Sequence, residues 1–187
     1  MTRRWFVLLE SNTTGTGRDF ALAARELGLR PVLFTRAPHR YPYVDELGLD
    51  VRELDTSAPA AVAVAGRQLA GEVAGITSSS EYFVAEAATA GRSLGLATPD
   101  PAAIGRCRDK AVQRRVLRDR GVPVPDSVVC RTETEALSAA AGIAGPVVVK
   151  PVSGSGSEGV RGFTGPGPAG EWAARLLDRA RRVLVER

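Results

Sequence analysis

Lysine is almost missing from this chain. Of its 25 basic residues only Lys110 and Lys150 are lysines, and the rest are arginines. Histidine is scarcer still: His39 stands alone, which excludes a multi-histidine metal site and leaves no general base for a histidine-centred triad outside that one position. The two cysteines, Cys107 and Cys130, lie far apart and in no metal-ligand spacing, so the chain reads as one with free, reduced thiols rather than a disulfide framework. Aromatic residues make up 5%, and no basic stretch is interleaved with stacking side chains, which argues against nucleic-acid binding. Long apolar runs are absent too. The run at residues 5–9, behind Met1-Thr2-Arg3-Arg4, is too short for a signal peptide and is ended by Glu10. Nothing is long enough to span a bilayer, and a cytoplasmic location is expected.

What is present is ordinary in bulk and particular in detail. The 187 residues suffice for one domain or two small ones, with 44% apolar and 25% charged residues and a net charge of +4. Apolar spacing predicts strands at residues 5–9, 31–35, 51–54 and 75–77, alternating with helices at 19–27, 58–70 and 81–94. The first helix is predicted to bury Phe20, Ala23, Ala24 and Leu27. Such alternation favours a parallel sheet with helices on both faces. After a turn bracketed by Pro99 and Pro101 the pattern changes. A helix at 108–120 is followed by a strand at 127–130, a helix at 134–141, strands at 146–150 and 159–163, a helix at 170–180 and a last strand at 183–186. Residues 164–168, with two glycines and two prolines, read as a surface turn. The fold class is therefore α/β: a Rossmann-like, doubly wound unit over about 1–103, then a small α+β unit over 104–187. The final strand is expected to leave an exposed edge, as though the second unit were cut at its exit.

Both lysines stand in chemically suggestive places. Lys150 ends the run Val147-Val148-Val149, just before Ser153-Gly154-Ser155-Gly156-Ser157-Glu158-Gly159. Glycines and serines in succession let backbone N–H groups converge on one anion, and a compact ammonium adds a point charge suited to phosphate. The plain alternative is a linker. No Gly-Lys-Ser/Thr follows, so this is not a Walker A loop. Lys110 follows Asp109 at a helix start, where Asp109 could simply cap the helix and leave Lys110 solvated. Glu186 ends the last strand, either as an ordinary charge or as an acceptor for an adenine amino group.

A second candidate site lies in the first unit. Glu10-Ser11-Asn12-Thr13-Thr14-Gly15-Thr16-Gly17 joins the first strand to the first helix, and Thr77-Ser78-Ser79-Ser80-Glu81 follows the fourth strand. In a parallel sheet both turns fall on the carboxyl edge, where ligands bind. Ser11, Thr14, Gly15, Gly17, Ser78, Ser79 and Glu81 are the candidate substrate contacts. A capped strand-to-helix turn is the structural alternative. The Gly-Thr-Gly pattern lacks the third glycine of a dinucleotide fingerprint, which disfavours NAD and an oxidoreductase.

In order and spacing these motifs resemble the ATP-grasp superfamily, the carboxylate–amine ligases related to biotin carboxylase and D-alanine–D-alanine ligase. The segments that carry the resemblance are Arg106-Cys107-Arg108-Asp109-Lys110, Arg115-Val116-Leu117, Gly121-Val122-Pro123-Val124-Pro125, Pro146 through Pro151 with the loop after it, and Val183 through Glu186. It covers 104–187 by specific motifs and 1–103 more loosely, as the domain that precedes the grasp. The resemblance implies that Lys110 and Lys150 bind ATP phosphates, that Ser153, Gly154, Ser155, Gly156, Ser157 and Gly159 fold over the β/γ end, and that Glu186 contacts adenine. It implies a ligase that phosphorylates a carboxylate with ATP and lets an amine displace phosphate from the acyl phosphate. The small-molecule partners would be a carboxylate, with an amino acid as the default, and an amine.

The chain departs from that family in one large respect. The large ATP subdomain, which supplies the magnesium ligands and an arginine near the transferred phosphate, has no counterpart here. Neither a catalytic residue nor a metal ligand is therefore assigned in this chain. It is expected to lack full ligase activity by itself, and to need that subdomain in cis or in trans. The rival expectation is a non-catalytic nucleotide- or anion-binding module, or half of a split enzyme.

Overall fold

The computed structural model describes residues 4–187; the start of the basic lead, residues 1–3, lies outside them. The chain divides into two compact units, one up to Ile104 and the other from Gly105.

The first unit is a four-stranded parallel sheet in the order β3-β2-β1-β4, from β1 (Arg4–Leu9), β2 (Arg30–Thr35), β3 (Asp50–Glu53) and β4 (Glu72–Thr77). Its crossovers carry α1 (Gly15–Glu26), α2 (Tyr43–Leu47) and α3 (Pro59–Arg67), and α4 (Val84–Ser93) follows β4. Both faces of the sheet are covered. Trp5, Val7 and Leu9 of β1 pack with Val32, Phe34, Val62, Ala87 and Ala90, while Leu8 packs with Ala21, Leu33, Tyr41, Tyr43 and Leu49. Burial on both sides is why β1 and β2 read as continuous apolar runs and not as alternating ones.

Three local expectations are corrected. The helix predicted at 19–27 begins at Gly15 and buries Gly17, Ala21 and Ala24. Phe20 and Leu27 point to solvent at 37% and 76% exposure, and Ala23 is exposed too. The buried stripe of the helix runs through Gly17, Ala21 and Ala24, and Phe20, Ala23 and Leu27 lie off it. The helix placed at 81–94 starts at Val84, since residues 81–83 form a turn. Between 99 and 108 the chain is not merely a turn: α5 (Pro101–Arg108) forms with proline at its first position, where the missing N–H costs nothing.

The second unit is antiparallel. Its sheet runs β5-β8-β6-β7, from β5 (Ser127–Cys130), β6 (Val147–Pro151), β7 (Arg161–Phe163) and β8 (Val183–Glu186). One face is closed by α7 (Glu133–Gly142) and α8 (Pro166–Leu177) over Cys130, Val147, Val149, Val183 and Val185. Burial raises the Cys130 thiol to about 11, so it stays protonated. The predicted surface turn at 164–168 is instead the opening of α8, again with proline in the first turn. The exposed edge expected of the last strand is not found: β8 lies between β5 and β6, hydrogen-bonded to both. The predicted helix at 108–120 is divided by Asp109, whose carboxylate accepts from Val112 N at 2.9 Å and opens α6 (Lys110–Asp119).

Candidate functional site

In the second unit, strand alternation decides what faces the helices and what does not. Val147, Val149, Val183 and Val185 enter the core, so Lys150 and Glu186 emerge on the other face of β6 and β8. Their pairing is direct: Lys150 Nζ donates to Glu186 Oε1. Arg114, from α6, donates through Nε to Oε2 at 3.0 Å and through Nη2 to Oε1 at 3.3 Å. Glu186 is 5% exposed. Burial alone would raise its pKa, but Arg114 and Lys150 outweigh that and hold it below the usual carboxylate range. Both carboxylate oxygens are thus engaged by cations. Arg114 is a member of the site that sequence reasoning missed, because its membership depends on a contact between α6 and β8 across 72 residues of chain.

Lys110 is set in place by Asp109. Asp109 caps α6 and also accepts from Arg182 Nη2 at 2.7 Å, and its pKa is lowered by these contacts against the opposing effect of burial. Lys110 N donates to Val152 O at 3.0 Å, and Lys110 Nζ donates to Gly154 O at 3.1 Å. The two lysines, with Pro151, Ser153, Gly154, Ser155, Gly156, Ser157, Glu158 and Val160, line one cleft of about 300 Å³. Gly154, Gly156 and Ser157 all hold positive φ, at 133°, 64° and 59°, so the loop turns sharply where the glycines permit it. Gly159 does not line the cleft. A Cβ there would stand 2.9 Å from Leu176 Cδ2, so this glycine lets the loop end close against α8.

In the first unit, the order β3-β2-β1-β4 sets the turns after β1 and β4 side by side. Asn12 N donates to Ser79 Oγ at 2.9 Å and Asn12 Nδ2 to Ser79 O at 3.2 Å. Ser79 N donates to Ser11 Oγ and Ser78 Oγ to Glu10 O, both at 3.4 Å. Ser11, Ser78 and Ser79 therefore tie the two turns together. Thr14 precedes α1 without a side-chain cap bond, and Gly15 faces open space. Gly17 is a packing glycine: an added Cβ would lie 1.9 Å from Asn12 O and 2.7 Å from Tyr43 Oη. Gly17→Ala is expected to destabilise the first unit by about 1–3 kcal/mol, read as a lower urea midpoint. An unchanged midpoint would show that the turn yields without cost.

The cavity at this edge, about 630 Å³, is lined by Glu10, Ser11, Asn12, Thr13, Arg36, Ala37, Arg40, Tyr41, Ser80, Tyr82 and Phe83. Of the expected substrate contacts only Ser11 is among these; Thr14, Gly15, Gly17, Ser78, Ser79 and Glu81 are not. Glu10 is the centre that sequence reasoning missed. It is buried, its φ is 40°, and its carboxylate accepts from Arg36 N, Thr56 Oγ1, Thr35 Oγ1 and Tyr41 Oη at 2.7–2.9 Å. Burial pushes its pKa up, and those four hydrogen bonds more than reverse the shift. An acidic residue closing a buried strand at the carboxyl edge was the available signal.

No protein-family model matches the chain. Among curated proteins it is similar to the uncharacterized protein y4rH of Sinorhizobium fredii, at 38% identity over 161 residues, 85% of this chain and 34% of that protein. The chain thus spans about a third of that relative's length. Among solved structures it is similar to an L-amino acid ligase from Bacillus licheniformis, with TM-score 0.74 and 20% identity over 100% of this chain and 44% of that one. It is similar to the biotin carboxylase domain of 2-oxoglutarate carboxylase from Hydrogenobacter thermophilus, solved with MgADP and bicarbonate: TM-score 0.73, 18% identity, 100% and 44% coverage. A carboxyaminoimidazole ribonucleotide synthase from Aspergillus clavatus, complexed with ATP, gives 0.73, 19%, 99% and 47%. At such identities the likeness is one of fold, and it takes in under half of each neighbour.

Proposed function

We propose that this chain, whose fold is that of the N-terminal part of the ATP-grasp carboxylate–amine ligases, supplies the phosphate-binding half of an ATP-dependent carbon–nitrogen ligase. The observation that carries the reading is the convergence of the chain's two lysines, distant in sequence, on one cleft floored by the Gly/Ser loop. A protein that uses arginine everywhere else has placed both of its point-charge cations at one anion-sized opening. Lys110 and Lys150 hold the ATP phosphates, and the loop 153–159 covers their β/γ end.

Lys150 must change partners for this. It pairs with Glu186, and turning to phosphate exchanges one anion for another at little electrostatic cost. Arg114 keeps Glu186 compensated meanwhile, and the carboxylate oxygen that Lys150 leaves becomes an acceptor for the adenine amino group. The reaction class is phosphorylation of a substrate carboxylate by ATP, then displacement of phosphate by an amine to form an amide. An amino acid is the favoured substrate class, because the first unit offers polar turns and not a long apolar groove. Magnesium ligands are assigned to the large ATP subdomain of the parent ligase, where the resemblance places them.

Lys150→Ala is expected to weaken ATP binding by roughly tenfold to a hundredfold, the worth of one charge-assisted phosphate contact, in a calorimetric titration. Equal affinity in the two proteins would sink the assignment. Ligase activity is tested as ADP release that depends on added amino acids, with the chain joined to the C-terminal part its structural neighbours carry. Nucleotide binding without amino-acid-dependent turnover would favour the binding-module reading.

A further inference from the structure

The cleft in the first unit has a polarity that points to a class of ligand. Glu10 is its only acidic lining residue, and it is closed to ligands: Oε1 already accepts from Arg36 N at 2.7 Å and Thr56 Oγ1 at 2.8 Å, Oε2 from Tyr41 Oη at 2.7 Å and Thr35 Oγ1 at 2.9 Å. A carboxylate with four donors has no lone pair left for a ligand's ammonium group. Its work is local. Those donors come from β2, from the segment 36–41 and from Thr56, so Glu10 pins the end of β2, next to Arg36, and the turn that carries Arg40. The left-handed backbone at Glu10, costly for a residue that is not glycine, is held by the same network.

The rim has the opposite character. Arg36 keeps 54% of its side chain exposed, with Nε 3.8 Å from Glu10 Oε1, and Asp55 also feels its charge. Arg40 is exposed and makes no ion pair among the described residues. Two guanidinium groups against one carboxylate leave the lining net positive. Tyr82, 51% exposed, and Phe83 add an aromatic wall. The volume, about 630 Å³, suits a metabolite-sized molecule.

We propose that this cleft binds the anionic end, a carboxylate or a phosphate, of one of the ligase's small-molecule substrates, with Arg36 and Arg40 as its ligands. Calling that molecule a ligase substrate rests on the proposed function; the anion specificity of the cleft does not. Both anions match a guanidinium fork, so the test separates them.

The purified chain is titrated calorimetrically with succinate, with succinamide as its neutral counterpart, and with inorganic phosphate. Succinate or phosphate is expected to bind saturably and succinamide not at all. Arg40→Ala, a change at an exposed residue that leaves the fold intact, is expected to weaken that binding roughly tenfold, and Arg67→Ala, an exposed arginine of the same unit that does not line the cleft, to leave it unaltered. Succinate alone binding assigns a carboxylate-bearing substrate, phosphate alone a phosphorylated one. The proposal is overturned if neither anion binds, if succinamide binds as well as succinate, or if Arg40→Ala binds like the parent. It is overturned too if phosphate binding vanishes in Lys150→Ala while surviving in Arg40→Ala. ATP titration of Arg40→Ala keeps the two readings apart: its ATP affinity is expected to match the parent's, and a chain that binds succinate but no ATP would remove the ligase reading and leave the anion cleft standing.

Discussion

Replacing Glu186 by alanine is expected to cost the second unit about 3–5 kcal/mol of unfolding free energy, the usual penalty for stripping the partner from buried charge. The carboxylate is 5% exposed, and its two cationic partners, Arg114 and Lys150, have side chains 20% and 12% exposed. Without Glu186 two like charges face each other with little water to screen them. Urea unfolding followed by tryptophan fluorescence reads this directly, because the chain has one tryptophan in each unit, Trp5 and Trp172. The loss belongs to the transition that Trp172 reports, in a Trp5→Phe background. A loss under 1 kcal/mol would show the pairs to be solvated and weak. Replacing all three groups together, Glu186→Leu with Arg114→Leu and Lys150→Met, is expected to recover most of the stability, since a well-packed apolar trio has no charge to desolvate. The pH dependence is set by the sign of the shift. Glu186 has a folded pKa below its unfolded value of about 4.3, so its contribution is full above that value and is lost as pH falls through the lower folded one.

Glu10→Ala is expected to destabilise the first unit by a similar amount, about 3–5 kcal/mol, by a different route. No buried cation is stranded, since Arg36, 3.8 Å from the carboxylate, is half exposed. Instead the hydroxyls of Thr35, Tyr41 and Thr56, all buried, and the Arg36 amide lose their acceptor together. The transition reported by Trp5, in a Trp172→Phe background, should carry the effect. Glu10→Gln keeps one acceptor oxygen but turns an NH₂ group toward donors, so an intermediate loss is expected. A wild-type midpoint for Glu10→Ala would mean that water replaces the carboxylate. Here too stability is full above the ordinary carboxylate pKa and falls as pH drops through the lowered folded value. At the alkaline end Tyr41 and Tyr43 act the other way. Burial raises both phenols, Tyr43 to about 12, so their contribution is complete below an unfolded pKa near 10 and is lost as pH rises toward the folded values.

These two carboxylates also mark how far the sequence could be read. Most strands and helices were legible, because β1, β2, β6 and β8 are short apolar runs and the helices between them carry a longer period. Glu10 was legible only as a charge that ends an apolar strand, and Glu186 as such a charge or as an adenine acceptor. Their partners Tyr41, Thr56 and Arg114 come from distant segments, and no spacing rule links residue 114 to residue 186 or residue 56 to residue 10. The helix boundaries missed at Pro101 and Pro166 have a local cause. Proline marks turns and first helical turns alike, and the residues on its C-terminal side decide between them.

The sequence by itself determined the α/β class and the rarity that singles out two lysines. These are local properties, set by backbone periodicity and side-chain chemistry. Only the tertiary structure decided that β8 is an inner strand and not an exposed edge, that Lys150 is held by Glu186 and Arg114, and that Arg36 and Arg40 rim a cleft supported by Glu10. Strand order and hydrogen-bond partners are chosen by contacts between residues far apart in the chain, where burying a charge or an apolar face selects one arrangement among many that share the same local pattern.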